Sequence, residues 1–148
     1  MSAPEPELPL EGGCMCGTCR FSVSEPLVGA AICHCKRCQR RTGTAVSVSA
    51  LTRQGSFSWT AGEEQVRRYD PGDGGFVKAF CGVCGSQLCT VNPQDPTIIA
   101  VRLGAIDAEP GVRPGAHQYV RYAASWDPIP DDGLPRYPER LGVGEPEA

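Results

Sequence analysis

Long hydrophobic runs are missing from this 148-residue sequence. No stretch approaches the roughly 18 apolar residues that a membrane span requires, which excludes a helical membrane protein. Positive charge is also short. Lys and Arg number 14 against 17 Asp and Glu, for a net charge of −3 and a pI near 5.4. That balance argues against a general binder of nucleic acid or anionic membrane. Residues 1–13, MSAPEPELPLEGG, hold no Lys or Arg and no apolar core, so they do not read as a secretory signal. A long amphipathic helical pattern is likewise absent, and there is no convincing repeat.

Turn formers and thiols are abundant instead. Gly 18 and Pro 14 point to many short strands and turns, in one domain with a real core. Residues 1–11 carry three prolines and three glutamates and read as a disordered lead-in. Strands are expected at Phe21–Ser24, Leu27–Ile32, Ala45–Leu51, Ser56–Trp59, Gln65–Tyr69, Phe76–Phe80 and Gln87–Val91, where apolar and polar residues tend to alternate. A buried strand is expected at Thr97–Leu103 and a last one at His117–Tyr122. Gln39–Thr42 makes one helical turn, stopped by Gly43. Five prolines lie beyond Asp127, so the C-terminal part, and 137–148 above all, reads as irregular. The pattern is all-β, mainly β with short helical turns. Unpaired edge strands in so small a domain make a homodimer plausible.

Nine cysteines dominate the chemistry. Without export the cytosol keeps thiols reduced, so metal ligation outranks disulfide bonding, and the expected location is cytoplasmic. Cys33-His34-Cys35-Lys36-Arg37-Cys38 puts three thiols within six residues. Thiolates this dense repel unless a cation holds them, and Zn²⁺ fits their softness best. Three ligands leave a tetrahedral ion one position short. Cys81-Gly82-Val83-Cys84-Gly85 has the form of a zinc knuckle, with two residues between thiols so that one turn can aim both sulfurs at one ion. Two further ligands could come from Cys14 and Cys16, or from Cys16 and Cys19. Cys33, Cys35 and Cys38 could also donate to a shared site. Spacing leaves these options open.

Three ordered motifs carry a resemblance. Gly13-Cys14-Met15-Cys16-Gly17 with Arg20-Phe21, Cys33-His34-Cys35-Lys36-Arg37-Cys38 with Gly43, and Phe80-Cys81-Gly82-Val83-Cys84-Gly85-Ser86-Gln87-Leu88 resemble the motifs of the glutathione-dependent formaldehyde-activating family, also called CENP-V/GFA. Weaker echoes follow in Gly104-Ala105-Ile106-Asp107, in Pro114 with His117, and in Trp126 with Ile129-Pro130-Asp131-Asp132-Gly133-Leu134-Pro135. The match runs over roughly 11–136, which makes 12–136 the zinc-binding domain. The resemblance implies an Mss4-like twisted β-sheet fold with two zinc ions per chain. It implies a structural zinc on Cys14, Cys16, Cys81 and Cys84, and a catalytic zinc on Cys33, Cys35 and Cys38. Cys19 and Cys89 fall outside these sets and read as small buried thiols.

The implied activity is carbon–sulfur lyase chemistry, in which glutathione sulfur adds reversibly to formaldehyde to give S-hydroxymethylglutathione. A Cys₃ zinc carries a formal charge of −1, which suits it to holding another thiolate. Glutathione would be the co-substrate, and Lys36, Arg37, Arg40 and Arg41 form a local positive patch suited to its two carboxylates. His34 sits between two cysteines better placed as ligands, and His117 reads as a hydrogen-bonded structural histidine. Trp126 is expected in the core. Asp107 could relay protons only if it lies near the three-cysteine cluster, and no side chain stands out as a general base. The alternatives are a non-catalytic zinc-stabilised interaction module and a thiol or metal sensor.

Overall fold

The structure is a computed structural model in which residues 2–147 are described. Met1 of the expected lead-in and Ala148 of the expected tail lie outside them. In chain order the elements are β1 (Leu10–Gly13), β2 (Arg20–Val23), β3 (Gly29–Cys33), α1 (Lys36–Thr42), β4 (Ser47–Leu51), β5 (Phe57–Ala61), β6 (Val66–Tyr69), β7 (Val77–Cys81), β8 (Gln87–Val91), β9 (Ile99–Arg102) and β10 (Pro114–Gln118). The fold is mainly β, as its turn-rich sequence demands, with one short α-helix among the described residues. No helix among them is long and apolar enough to cross a membrane.

The chain divides into two compact units. The first runs to Val28 and resumes over Ser49–Val112; the second comprises Gly29–Val48 and the chain from Arg113 onward. In the first, β1, β2 and β5 form an antiparallel sheet in that order. Phe21 and Val23 of β2 are fully buried while Ser22 between them is not, so the alternation in sequence reports a real face. Phe21 stacks on Phe57 with ring centroids 5.2 Å apart, and Trp59 meets Phe57 edge-on at 5.0 Å. The strand β1 begins inside the expected lead-in. A Cβ on Gly12 would stand 2.4 Å from the Ala105 carbonyl oxygen, so glycine here serves close backbone approach.

The first unit also contains the antiparallel ladder β4-β9-β8-β7-β6, with Ser49–Leu51 as the part of β4 that pairs with β9. β9 is less buried than its apolar sequence leads one to expect, since Val101 alone is enclosed. In the second unit β10 runs parallel to β3, with Gln118 opposite Cys33. The last strand lies upstream of its expected place. Tyr119 adopts a left-handed backbone with φ 57° and ends the pairing, and Val120–Tyr122 turn as a 3₁₀ helix. Trp126, expected in the core, is 68% exposed, because the chain around it is irregular and packs no sheet face against it.

Phe21 is the largest fully buried side chain and the centre of the aromatic cluster. Phe21→Ala should destabilise the protein by about 3–5 kcal/mol, the usual cost of emptying a buried phenylalanine site. Urea unfolding measures it, and a loss below about 1 kcal/mol would show that the cluster is not what holds this sheet face.

Candidate metal centres

Cys14, Cys16, Cys81 and Cys84 converge in the first unit, their sulfurs all within 4.8 Å of one another. The strand β7 delivers Cys81 at its end, and the chain then turns tightly. The Gly85 N–H donates to the Cys81 carbonyl at 2.8 Å, with Gly85 at φ 80° as that turn requires. Gly82 passes so close to Gln65 that a Cβ would meet its carbonyl oxygen at 2.7 Å. The N-terminal turn is fixed to this knuckle by Ser86, whose hydroxyl accepts from the Met15 N–H at 3.0 Å and contacts the Cys84 sulfur at 3.2 Å.

Backbone N–H groups surround these sulfurs. Cys19 N–H donates to Cys14 Sγ at 3.2 Å, and Val83 N–H to Cys81 Sγ at 3.4 Å. The Ser86 hydroxyl, with backbone hydrogen bonds from Ser86 and Cys16, pulls the Cys84 thiol down to about 5, so it is a thiolate at neutral pH. Sulfurs 2.3 Å from one tetrahedral ion stand about 3.8 Å apart. Cys14 and Cys16 are separated by 3.6 Å and Cys16 and Cys81 by 3.9 Å, so this donor set fits such an ion.

Cys19, one turn away, is different. It is fully buried, its thiol donates to the Gly62 carbonyl at 3.4 Å, and burial, then the Cys81 and Cys14 thiols, push it up to about 12. It stays a neutral thiol outside the four-sulfur group. Burial likewise pushes Cys89 up to about 12.

Cys33, Cys35 and Cys38 converge in the second unit, again within 4.8 Å. The strand β3 ends at Cys33, and Cys35 is the N-cap of α1, its sulfur accepting from the Cys38 N–H at 3.3 Å. A cap and the third helical residue are neighbours in space, which is how the CxxC spacing brings these two thiols together. Gly43 closes the helix at φ 69°, as its sequence position foretells. The Ser47 hydroxyl donates to Cys38 Sγ at 3.0 Å. Without a cation this cluster resists ionisation. Hydrogen bonds with Cys35 and Cys38, then burial, raise the Cys33 pKa. The Cys33 hydrogen bond lowers Cys35, but Cys38 and burial outweigh it. Three crowded thiols, Cys33 buried and Cys35 and Cys38 half-buried, fit a site that a soft metal ion could charge.

His34 is not part of the sulfur cluster. Its Nε2 lies 2.8 Å from His117 Nδ1, and His117 Nε2 lies 2.8 Å from an Asp132 carboxylate oxygen. Both imidazoles are buried, at 3% and 1% exposure. The carboxylate accepts from His117 Nε2–H; with His117 neutral its Nδ1 accepts from His34 Nε2–H, and His34 Nδ1 has no hydrogen-bond partner among the described residues. Burial lowers the His34 pKa, and the neighbouring His117 and Arg136 lower it further, so His34 is held in its neutral form. Gln39 adds a second brace, donating to the His34 and Tyr122 carbonyls at 2.9 and 2.8 Å. The sequence marks His117 as hydrogen-bonded but gives no sign of its partners, which lie 83 and 15 residues away.

Of the basic patch, Lys36, Arg37 and Arg40 are exposed on α1 and Arg41 is half-buried. Asp107 binds Arg20 through two oxygens, one of them 3.1 Å from Nη1. That pairing draws its pKa below the usual carboxylate range. It is an ion-pair anchor in the first unit.

The architecture is thus that of a mainly-β protein with two cysteine clusters that could hold metal ions. The family model for glutathione-dependent formaldehyde-activating enzymes matches residues 9–122, and the chain belongs to that family. A Halomonas elongata protein provisionally named a glutathione-dependent formaldehyde-activating enzyme is 25% identical over 154 residues, covering 92% of this chain and 98% of the relative. The crystal structure of a Rhodobacter sphaeroides protein matches with a TM-score of 0.56 at 26% identity, over 66% of this chain and 88% of that one.

The His117 hydrogen bond holds Asp132 below the ordinary carboxylate range, so ionised Asp132 favours the folded state. A depressed folded pKa gives stability that is present above the unfolded value, about 4, and is lost as pH falls through the folded one. The stability difference between wild type and Asp132→Ala should therefore be constant near neutrality and shrink in acid. Denaturant titrations of both proteins, prepared identically, measure it. A difference independent of pH down to about 2 would refute the pairing.

Proposed function

We propose that this chain is a zinc-dependent enzyme of carbon–sulfur lyase type that joins glutathione to formaldehyde and reverses the reaction. The observation that carries the proposal is the division of the sulfurs into a group of four and a separate group of three. Cys14, Cys16, Cys81 and Cys84 would hold a structural zinc, complete with four ligands. Cys33, Cys35 and Cys38 would hold a second zinc with one place left for an exchangeable ligand. Family membership and the name of the Halomonas relative support the choice of substrates.

When bound, the second zinc supplies a cation that favours the thiolate form of a substrate thiol at neutral pH. The protein's own residues do the rest. Cys35, as N-cap, and Cys38, under the Ser47 hydroxyl, keep their sulfurs in a fixed relation. Gln39 and the Asp132–His117–His34 chain brace His34, the residue between Cys33 and Cys35. Lys36, Arg37, Arg40 and Arg41 would receive the glutathione carboxylates, with Arg suited to two-point contact. The substrate sulfur pair forms the new bond to carbon, the carbonyl π pair moves to oxygen, and water supplies the proton. Orientation of thiol and aldehyde in one site is the catalytic contribution. Seven cysteines gathered into two clusters that could hold metal ions suit a reducing compartment, and we place the enzyme in the cytoplasm.

Metal analysis combined with glutathione binding tests this reading. Wild type should carry two zinc ions, and Cys35→Ser should remain folded with one and lose thiol binding. Cys81→Ser should lose the other ion and with it the cooperative melting transition. Wild-type protein that carries two zinc ions yet adds nothing to the spontaneous rate of adduct formation would overturn the enzymatic assignment.

A further inference from the structure

We infer that the hydroxyl of Tyr119 donates a hydrogen bond to the sulfur of a thiol substrate at the Cys33–Cys35–Cys38 site, making Tyr119 a substrate-binding residue. The inference rests on the function proposed above and adds a residue that neither the sequence motifs nor the cysteine geometry assigns.

The first observation is backbone conformation. Twelve described residues have positive φ; eleven are glycines and the twelfth is Tyr119. A bulky residue in this region costs about 1–2 kcal/mol, which glycine or asparagine would largely avoid. Such a conformation persists only where its surroundings enforce it. Here the Tyr119 N–H donates to the Glu139 carbonyl at 2.8 Å, and the Tyr119 carbonyl accepts from the Tyr122 N–H at 3.1 Å. The turn itself asks for glycine, so the side chain is what the position retains at the expense of stability.

The second observation is place. Gln118 lies opposite Cys33 in the parallel β10–β3 pair, and the His34 N–H donates to the Gln118 carbonyl at 3.0 Å. Tyr119 is thus the residue at which the chain leaves the sheet beside Cys33-His34-Cys35. The third is an available donor. Tyr119 is half-buried and its hydroxyl has no hydrogen-bond partner among the described residues, whereas the Tyr122 hydroxyl, whose ring lies 6.3 Å away, is taken up by Glu139. Burial raises the Tyr119 pKa, with smaller contributions from the Cys33 and Cys35 thiols, so the phenol is a neutral donor within electrostatic reach of both sulfurs.

Chemistry completes the argument. A fourth sulfur entering a three-thiolate site brings more negative charge to a place already rich in it. A neutral O–H offers that sulfur a hydrogen bond without competing for the cation, and a bond to a charged acceptor is among the stronger kinds.

Tyr119→Phe tests the inference because it keeps the ring and the backbone strain and removes only the oxygen. The zinc-loaded proteins are titrated calorimetrically with glutathione and, separately, with S-methylglutathione, whose sulfur cannot ionise. The variant should retain wild-type zinc content and melting temperature and bind glutathione roughly tenfold more weakly. Its affinity for S-methylglutathione should equal that of wild type. Tyr119→Gly should also lose glutathione affinity while melting no lower than Tyr119→Ala, as expected at a left-handed position. Equal glutathione affinity in wild type and Tyr119→Phe overturns the inference, as does an equal weakening for both ligands. If zinc-loaded wild type binds no glutathione, the proposed function falls, and this inference with it.

Discussion

The structure depends on sulfurs packed against sulfurs. Cys16 and Cys81 are 65 residues apart in sequence and 3.9 Å apart at Sγ. Contacts this close between like groups are stable only if the sulfurs stay protonated or share a cation. The two clusters meet that constraint differently. Around the four sulfurs, backbone N–H groups and the Ser86 hydroxyl supply positive partial charge, enough to hold Cys84 as a thiolate without help. Around the three, burial and mutual contact hold Cys33 in its neutral form. The surroundings of the four sulfurs thus favour a charged Cys84, and those of the three oppose a charged Cys33.

Each cluster has its own brace. In the first unit the bracing is apolar and ionic: Phe21, Phe57 and Trp59 close one sheet face, and Arg20 grips Asp107. In the second it is polar and buried. A histidine between two cysteines would ordinarily be a hazard, since it competes for metal. Here His34 is occupied through Nε2 by His117, which Asp132 fixes in turn. The carboxylate therefore sets the orientation of two imidazoles and keeps His34 away from the sulfurs.

Much of this was legible in the sequence because it is local. CxxC spacing, Gly43 after a short polar run, and the alternation of Phe21 and Val23 each encode a conformation within a few residues. Spacing leaves the grouping of Cys14 and Cys16 with Cys81 and Cys84 open, and only the family resemblance implies it. What was hidden is long-range or conformational. Nothing local identifies Asp132 as the partner of His117, or Ser86 as the tie between the Met15 turn and the knuckle. Trp126 has a core residue's chemistry, and only the irregular path of its surroundings leaves it exposed. The strand expected over His117–Tyr122 failed at one dihedral angle. An aromatic residue promises extended backbone, and Tyr119 is held in the left-handed region instead.

That single departure bears on how the site is organised. A sequence that satisfied every local preference would put glycine at 119, gain stability, and lose the phenol that follows Gln118, the residue paired with Cys33. Local rules are broken most readily where something other than stability is at stake. Ten well-formed strands and a well-capped helix supply the surplus against which one strained residue can stand. The cysteines fix where the ions would sit, and they do so with motifs any reader can find. Which thiol enters, and how firmly it is held, falls to the side chains around the remaining position. There the conformational cost at Tyr119 is a better guide than any motif.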